Sequence, residues 1–215
     1  MTDELVDVFD ESGRPLGTAT KRLAHRVGLW HYSMHCWIYR RDPTTGEVKV
    51  LVQRRSWDKE LHPGQWDISA AGHYQAGETI RDSGREISEE LGLSVEYDDL
   101  RYVGIQTEVD KVGGLTNREF CRVFLLASEL SPHELKPSQH EVSGLVEITT
   151  GEGLALWNGE KTVACASGIE YQSGKWVPYR TEITREAFVR RRDFYYLKVF
   201  LLVDQAGRGQ QYLAI

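Results

Sequence analysis

An α/β sandwich on a mixed sheet is the fold class this sequence predicts, and three observations predict it. Short apolar runs of strand character recur through the first half of the chain: ELVDVF (4–9), SMHCWIYR (33–40), EVKVLVQR (47–54) and WDISAA (66–71). Between and after them lie segments of helical spacing, where apolar or small residues return every three to four positions. Ile80, Gly84, Ile87 and Leu91 form one such stripe, and ITREAFVRRRDFYYLKVFLLVD (183–204) reads as a closing helix. Strands interleaved with helices bury both faces of a sheet, which is the sandwich arrangement.

The elements follow in order. ESGRPLG is a turn after the first strand, leading to a partner segment. DPTTG between the runs at 33–40 and 47–54 is a hairpin signal. Strand 66–71 feeds the glycine-containing loop GHYQAGET, and a helix runs from about Ile80 to Leu91 with Gly92 as its left-handed stop. Two strands, about 101–110 and 118–127, flank VGGLTN; another near Gly144–Ile148 precedes a short helix around Gly151–Trp157. Residues 158–183 lack clear periodicity and read as an extended loop or small hairpin. With no internal repeat or low-complexity linker, the 215 residues read as a single domain with an extension from about 151 to 215.

Composition narrows the function classes. A net charge of −6 argues against a general nucleic-acid binder or a protein that docks on anionic membranes. No apolar run approaches the roughly 20 residues of a membrane span. The acidic start MTDELVDVFD lacks the basic-then-apolar pattern of a signal peptide. Cys36, Cys121 and Cys165 are odd in number and far apart, which fits reduced thiols in the cytoplasm, with the first two as buried inert groups.

The stretch AGHYQAGETIRDSGREISEELGL (71–93) carries the chemistry. Residues three and four apart share a helix face, so Glu86 lies over Glu89 and Glu90, with Arg85 over Glu89. Paired glutamates on a helix are usually solvated surface. Here, however, a strand and a glycine loop deliver a helix whose other face is apolar. Several converging carboxylates match a hard divalent cation such as Mg²⁺, which prefers oxygen ligands and also takes substrate phosphates.

This stretch resembles the signature box of the Nudix hydrolases: Gly, five residues, Glu, seven residues, then Arg-Glu-apolar-x-Glu-Glu-x-Gly-apolar. The chain supplies Gly72, Glu78, Arg85, Glu86, Ile87, Glu89, Glu90, Gly92 and Leu93 in that order, with six residues instead of seven between Glu78 and Arg85. The resemblance implies a Nudix-type α/β/α sandwich and a diphosphohydrolase using Mg²⁺ or Mn²⁺. It implies that Glu86, Glu89 and Glu90 ligate the metal, with one of them (Glu86 or Glu89 foremost) as base toward water. Arg85 would orient a carboxylate, and Gly72 would let the backbone approach the metal or the diphosphate.

Residues 4–146 resemble more narrowly the branch related to type I isopentenyl-diphosphate isomerase. LVQRRSWDKELHPGQWDISAAGH carries that branch's Arg-Arg, Lys and Pro-Gly-x-Trp pattern, implying diphosphate contacts from Arg54 or Arg55 and Lys59. The isomerase also binds metal through three histidines and two glutamates. Their places hold His25, His31, His73 and Glu119 here, with Asn117 at the second glutamate. That set implies a second, transition-metal site, weakened by the missing carboxylate. His35 is taken as structural. The catalytic cysteine of the isomerase is replaced by Ala71, which removes half of the acid–base pair needed for allylic isomerisation, while the complete Arg-Glu…Glu-Glu set favours hydrolysis.

The expected substrate is therefore a small molecule with a diphosphate linkage, of nucleoside-diphosphate type or related. The competing readings are an isoprenoid-diphosphate isomerase relative and a non-catalytic Nudix-fold nucleotide-binding module. No nucleic-acid duplex or membrane partner is expected, and a homodimer is one open form of self-association. Trp30, Trp37, Trp57 and Trp66 are candidates for a stacking platform, with core packing as the default. The run RRR at 190–192 has either phosphate contact or solvent as its fate.

Overall fold

The computed structural model describes residues 3–215, so Met1 and Thr2 of the acidic start lie outside it. The strands are β1 (Leu5–Phe9), β2 (Pro15–Thr20), β3 (Trp30–Arg41), β4 (Val48–Arg55), β5 (Trp66–Asp67), β6 (Ala70–His73), β7 (Arg101–Val112), β8 (Leu115–Ala127), β9 (Val142–Thr149), β10 (Val163–Gln172) and β11 (Lys175–Thr184). The helices are α1 (Lys21–Val27), α2 (Gly84–Leu91), α3 (Thr150–Asn158) and α4 (Tyr195–Gly207). The main sheet order is β11-β10-β9-β4-β3-β1-β2, with β8 and β7 branching from β3, β6 paired to β3 and β5 to β4. The β3–β8 pairing is parallel and the others antiparallel, which makes the sheet mixed as expected.

Central strands that are covered on both faces read as nearly continuous apolar runs, and β3 and β4 do so. Trp37, Val50 and Val52 point toward α3 and α4, where Leu156, Tyr195, Tyr196, Val199, Phe200 and Val203 close the larger core. Cys36, Ile38 and Leu51 point the other way, onto Ile87 and Leu91 of α2. Helices on both faces complete the α/β/α sandwich.

Three elements differ from expectation. The helix foreseen over 80–91 begins with a 3-10 turn, Ile80–Ser83, before α2 proper. Ser83 Oγ donates to Ile80 O (2.6 Å), the carbonyl that the Gly84 N–H would take in a continuous α-helix, while a Thr79/Asp82 capping box closes the first turn on itself. Gly92 ends α2 at φ 66° with its N–H on Ser88 O, as foreseen.

Residues 158–183 form a full hairpin of two ten-residue strands, β10 and β11, turned at Ser173–Gly174 with positive φ at both residues. The closing helix starts only at Tyr195. Ahead of it, Phe188 bridges Trp66, the Val189 N–H bonds Trp66 O (2.8 Å), and Arg191 turns inward to Asp67. These sheet-edge contacts hold 188–191 extended, and Asp193 and Phe194 at φ 54° and 56° break any helical path before α4.

Candidate active site

A cavity of about 870 Å³ opens between the α2 face and the ends of β3, β6, β7 and β8. Its floor is built from neighbouring strands in register. His31, Ser33 and His35 alternate onto one face of β3; His31 lies opposite Glu119 of β8, and Ser33 opposite His73 of β6. On β7, Glu108 and Asp110 lie opposite Glu119 and Asn117.

The box carboxylates divide by depth. Spacing puts the three on one helix face without separating them, yet Glu90 is buried at 3 % exposure. Its Oε2 accepts from the Ala71 N–H and from Gln53 Nε2, both at 3.0 Å. Burial, with the Glu86 charge adding to it, pushes Glu90 up to about 7. Glu86 is also pushed up, first by burial. A Cβ on Gly72 would sit 2.0–2.5 Å from the Glu86 carboxylate, so the glycine makes room for this side chain itself. Glu89 is the outermost of the three, with a side chain 56 % exposed.

Arg85 gathers these groups. It donates to both oxygens of Glu78 (2.6 and 2.9 Å), to Glu89 Oε2 (3.0 Å) and to the His73 carbonyl (2.9 Å), and its Nη1 lies 2.9 Å from Glu86 Oε1. The 3-10 turn therefore brings Glu78 to Arg85 despite the shortened spacing. Arg55 and Lys59 line the cavity, Arg55 donating to Leu61 O at 3.1 Å and Lys59 paired with Glu141. Arg54 does not line it: this guanidinium pairs with Glu170, donates to Ser143 Oγ (3.1 Å) and lies over Trp66 and Tyr179.

His25, at the end of α1, meets His31 and His73, with ring centroids 5.0–5.3 Å apart and one ligand atom of each ring within 4.8 Å of the others. The Nε2 atoms of all three are buried without a hydrogen-bond partner. The Leu29 carbonyl, 3.0 Å from His31 Nδ1, can only accept a hydrogen bond, so Nδ1 carries the hydrogen and donates; Nε2 is left facing Glu119 Oε1 at 4.0 Å. His73 Nε2 lies 2.9 Å from the same oxygen without hydrogen-bond alignment. Buried ring nitrogens and a carboxylate converging on one place fit a cation between them. Burial pushes His25 down to about 4 and His73 to about 3, which keeps both rings neutral and ready as ligands.

These shifts give a pH signature. An unfolded histidine titrates near 6.5, so below that pH the unfolded chain binds more protons than the fold. The stability contributed by these neutral rings is present above pH 6.5 and is lost as pH falls through about 4 toward 3. Glu90, raised to about 7, acts in the opposite sense and is best satisfied at low pH. We expect the His25→Gln/His73→Gln variant, melted in EDTA, to flatten the acid limb of Tm between pH 6.5 and 4 and to leave the limb above pH 7 alone. An acid limb equal to the parent's would mean that the rings titrate normally.

Several cavity residues have no place in the site read from the sequence: His35 is structural there, Arg191 is one of the RRR run with phosphate or solvent as its fate, and Glu108 is not singled out. His35 lines the cavity, its Nδ1 2.9 Å from Tyr195 Oη on α4. Arg191 donates to both oxygens of buried Asp67 (2.9 and 3.0 Å). Glu108 is 5 % exposed and pushed up to about 7, first by burial. The alternation of Gln106, Glu108 and Asp110 on one strand face was the available signal. Trp37 and Trp66 belong to the core, Trp30 stacks on Phe120 (4.7 Å), and Trp57 is 67 % exposed; none of the four lines the cavity. Cys36 and Cys121 are buried with their thiols pushed up, which makes them inert.

Known proteins resemble this chain in sequence and fold. The NUDIX domain family model covers residues 30–162. The chain belongs to the Nudix family. An uncharacterised Nudix hydrolase of Clostridium acetobutylicum is 31 % identical over 198 residues, covering 91 % of this Nudix chain and 95 % of the relative. Isopentenyl-diphosphate Delta-isomerase of Citrobacter koseri is 32 % identical over 168 residues, 73 % of this chain and 86 % of the isomerase. Nudix hydrolase 3 of Arabidopsis thaliana is 40 % identical over 130 residues, 59 % of this chain but only 16 % of that longer protein. A solved structure from Deinococcus radiodurans shares the fold at TM-score 0.53 and 22 % identity, covering 74 % of this chain and 91 % of that one. Among the described residues no helix is long and apolar enough to cross a membrane.

Proposed function

We propose that this Nudix protein is a divalent-metal-dependent hydrolase of a small molecule containing a diphosphate linkage. The observation that carries the reading is the pair Glu86 and Glu90, both withdrawn from solvent yet lining the cavity, one seated against Gly72 and the other on the Ala71 N–H. Two adjacent carboxylates with raised affinity for protons are the donor set a hard cation satisfies. Glu86 and Glu90 would hold Mg²⁺ or Mn²⁺, with Glu89 at the rim. When bound, that ion supplies charge neutralisation and polarisation of the diphosphate oxygens.

The chain's own residues supply the rest. Arg85 fixes Glu78, Glu86 and Glu89 in one geometry, so the carboxylates do not reorganise during the reaction. A box carboxylate takes a proton from water as its oxygen bonds to phosphorus, and the bridging P–O bond breaks. Arg55 and Lys59, across the cavity, meet the charge on the departing phosphate. His25, His31, His73 and Glu119 would hold a second ion of transition-metal type. Elemental analysis of protein purified without added metal, against a His25→Ala/His31→Ala control, checks that site. Equal metal content in both proteins would remove it.

Similarity to the Citrobacter isomerase favours one alternative, an isoprenoid-diphosphate isomerase. Ala71 stands against it, because a methyl group neither gives nor takes a proton. A coupled phosphate-release screen with Mg²⁺ or Mn²⁺ over nucleoside diphosphates, sugar nucleotides, coenzymes and isoprenoid diphosphates tests the proposal. Metal-dependent release from one class is expected. Tight ligand binding without any turnover would make the chain a binding module, and dimethylallyl diphosphate formed without phosphate release would make it an isomerase.

A further inference from the structure

Part of the cavity lining is polar and is made by residues that the signature does not include. Glu108 of β7 is buried, lines the cavity and has an Oε1 with no hydrogen-bond partner. Asn117, cavity-lining on the paired strand β8, has a buried, unpartnered Oδ1. Arg191 enters from the extended segment before α4, beyond the residues matched by the family. One of its nitrogens is spent on Asp67, and its buried Nε has no partner. The same cavity thus holds buried acceptors and a buried donor, all unpaired.

The rest of the lining sharpens the point. Leu61, Ala71 and Val189 are its apolar side chains, and no Phe, Tyr or Trp lines it among the described residues. A hydrocarbon tail would leave these acceptors and the Arg191 donor dry and unpaired, the costly outcome for buried polar groups. A planar base would find no large aromatic face. Hydroxyl groups, which donate and accept at one atom, pair with both kinds of partner.

We propose that Glu108, Asn117 and Arg191 form a subsite for the hydroxyl groups of a sugar or polyol, the moiety joined to the diphosphate. This deepens the hydrolase reading above and rests on it for the diphosphate alone. Segment 188–191 is then the specificity element contributed by the C-terminal part of the chain, held in place by the Val189–Trp66 backbone bond and the Arg191–Asp67 pair.

The test compares two ligands that share a phosphate and a five-carbon chain and differ in their hydroxyls: ribitol 5-phosphate and pentyl phosphate. Titration calorimetry on the intact chain with Mg²⁺ should find ribitol 5-phosphate tighter by about tenfold or more, the scale of one or two hydrogen bonds to charged partners. Glu108→Leu keeps the volume but removes the acceptor, and should shrink the ratio to within about threefold. Glu108→Gln keeps an acceptor and a donor, and should retain the preference. Equal binding of the two ligands by the parent, no binding of either, or an unchanged ratio in Glu108→Leu would overturn the subsite. Turnover is not read, so a protein that prefers ribitol 5-phosphate yet cleaves no diphosphate would sink the hydrolase reading and leave the subsite standing.

Discussion

Glu86→Gln and Glu90→Gln are each expected to lower turnover by about two to three orders of magnitude, the scale on which one preorganised electrostatic partner of a reacting centre counts. Neither glutamine adds volume, so Gly72 still accommodates position 86 and the Ala71 N–H still finds an oxygen at position 90. The fold should therefore survive. For Glu90 the change removes a strain: a buried carboxylate whose pKa is raised to about 7 weakens the metal-free fold as pH rises through that value. Glu90→Gln should thus melt no lower than the parent in EDTA at pH 8 while losing activity with Mg²⁺. Loss of activity without loss of stability is the signature of a functional carboxylate. Glu89→Gln, at the exposed rim, should have the smallest effect of the three. Turnover near the parent's in both Glu86→Gln and Glu90→Gln at saturating Mg²⁺ would remove the box from the chemistry.

Arg85→Met is expected to damage both stability and activity. The guanidinium serves Glu78, Glu86, Glu89 and the His73 carbonyl at once, with every nitrogen engaged. Removing one partner of a buried pair costs about 3–5 kcal/mol. The arginine keeps 23 % exposure, so roughly 2–3 kcal/mol is the better expectation here. For a chain of this length that is a Tm lower by roughly 5–10 °C. Turnover at 25 °C should still fall by about a hundredfold, because the freed carboxylates repel each other and leave their common geometry. Arg85→Lys restores one charge but not the planar fork, and should recover stability better than activity. The excess of Mg²⁺ needed for half-maximal rate should rise in both variants. Parent-like Tm and rate in Arg85→Met would show that the fork organises nothing.

The sequence by itself determined the pieces whose partners are close along the chain. The box was legible because α2 turns a short spacing into a shared location: Arg85 reaches Glu89 one turn away, and Gly92 stops the helix where its φ allows. The DPTTG hairpin was legible for the same reason, since a turn is a local rule. The histidine triad was readable only through resemblance to a family, because His25, His31 and His73 come from α1, β3 and β6.

Tertiary structure decided the rest. Nothing in EISEEL separates an exposed Glu89 from a buried Glu90; that difference exists because β6 and Gln53 of β4 lie against one side of the helix. The pair RR at 54–55 looks uniform, yet alternation along β4 turns Arg55 into the cavity and Arg54 toward Glu170 of β10. The closing segment shows the limit most clearly. Its composition favours a helix from Ile183 onward, but contacts of 188–191 with Trp66 and Asp67, more than a hundred residues earlier, outweigh that local preference. Arg191 and Glu108 meet at the cavity only because β7 pairs with β8 and that segment crosses the sheet edge. Helix propensity is worth tenths of a kcal/mol per residue, whereas leaving the buried Asp67 without Arg191 would cost about 3–5 kcal/mol, so the long-range contacts set the shape of this wall of the cavity.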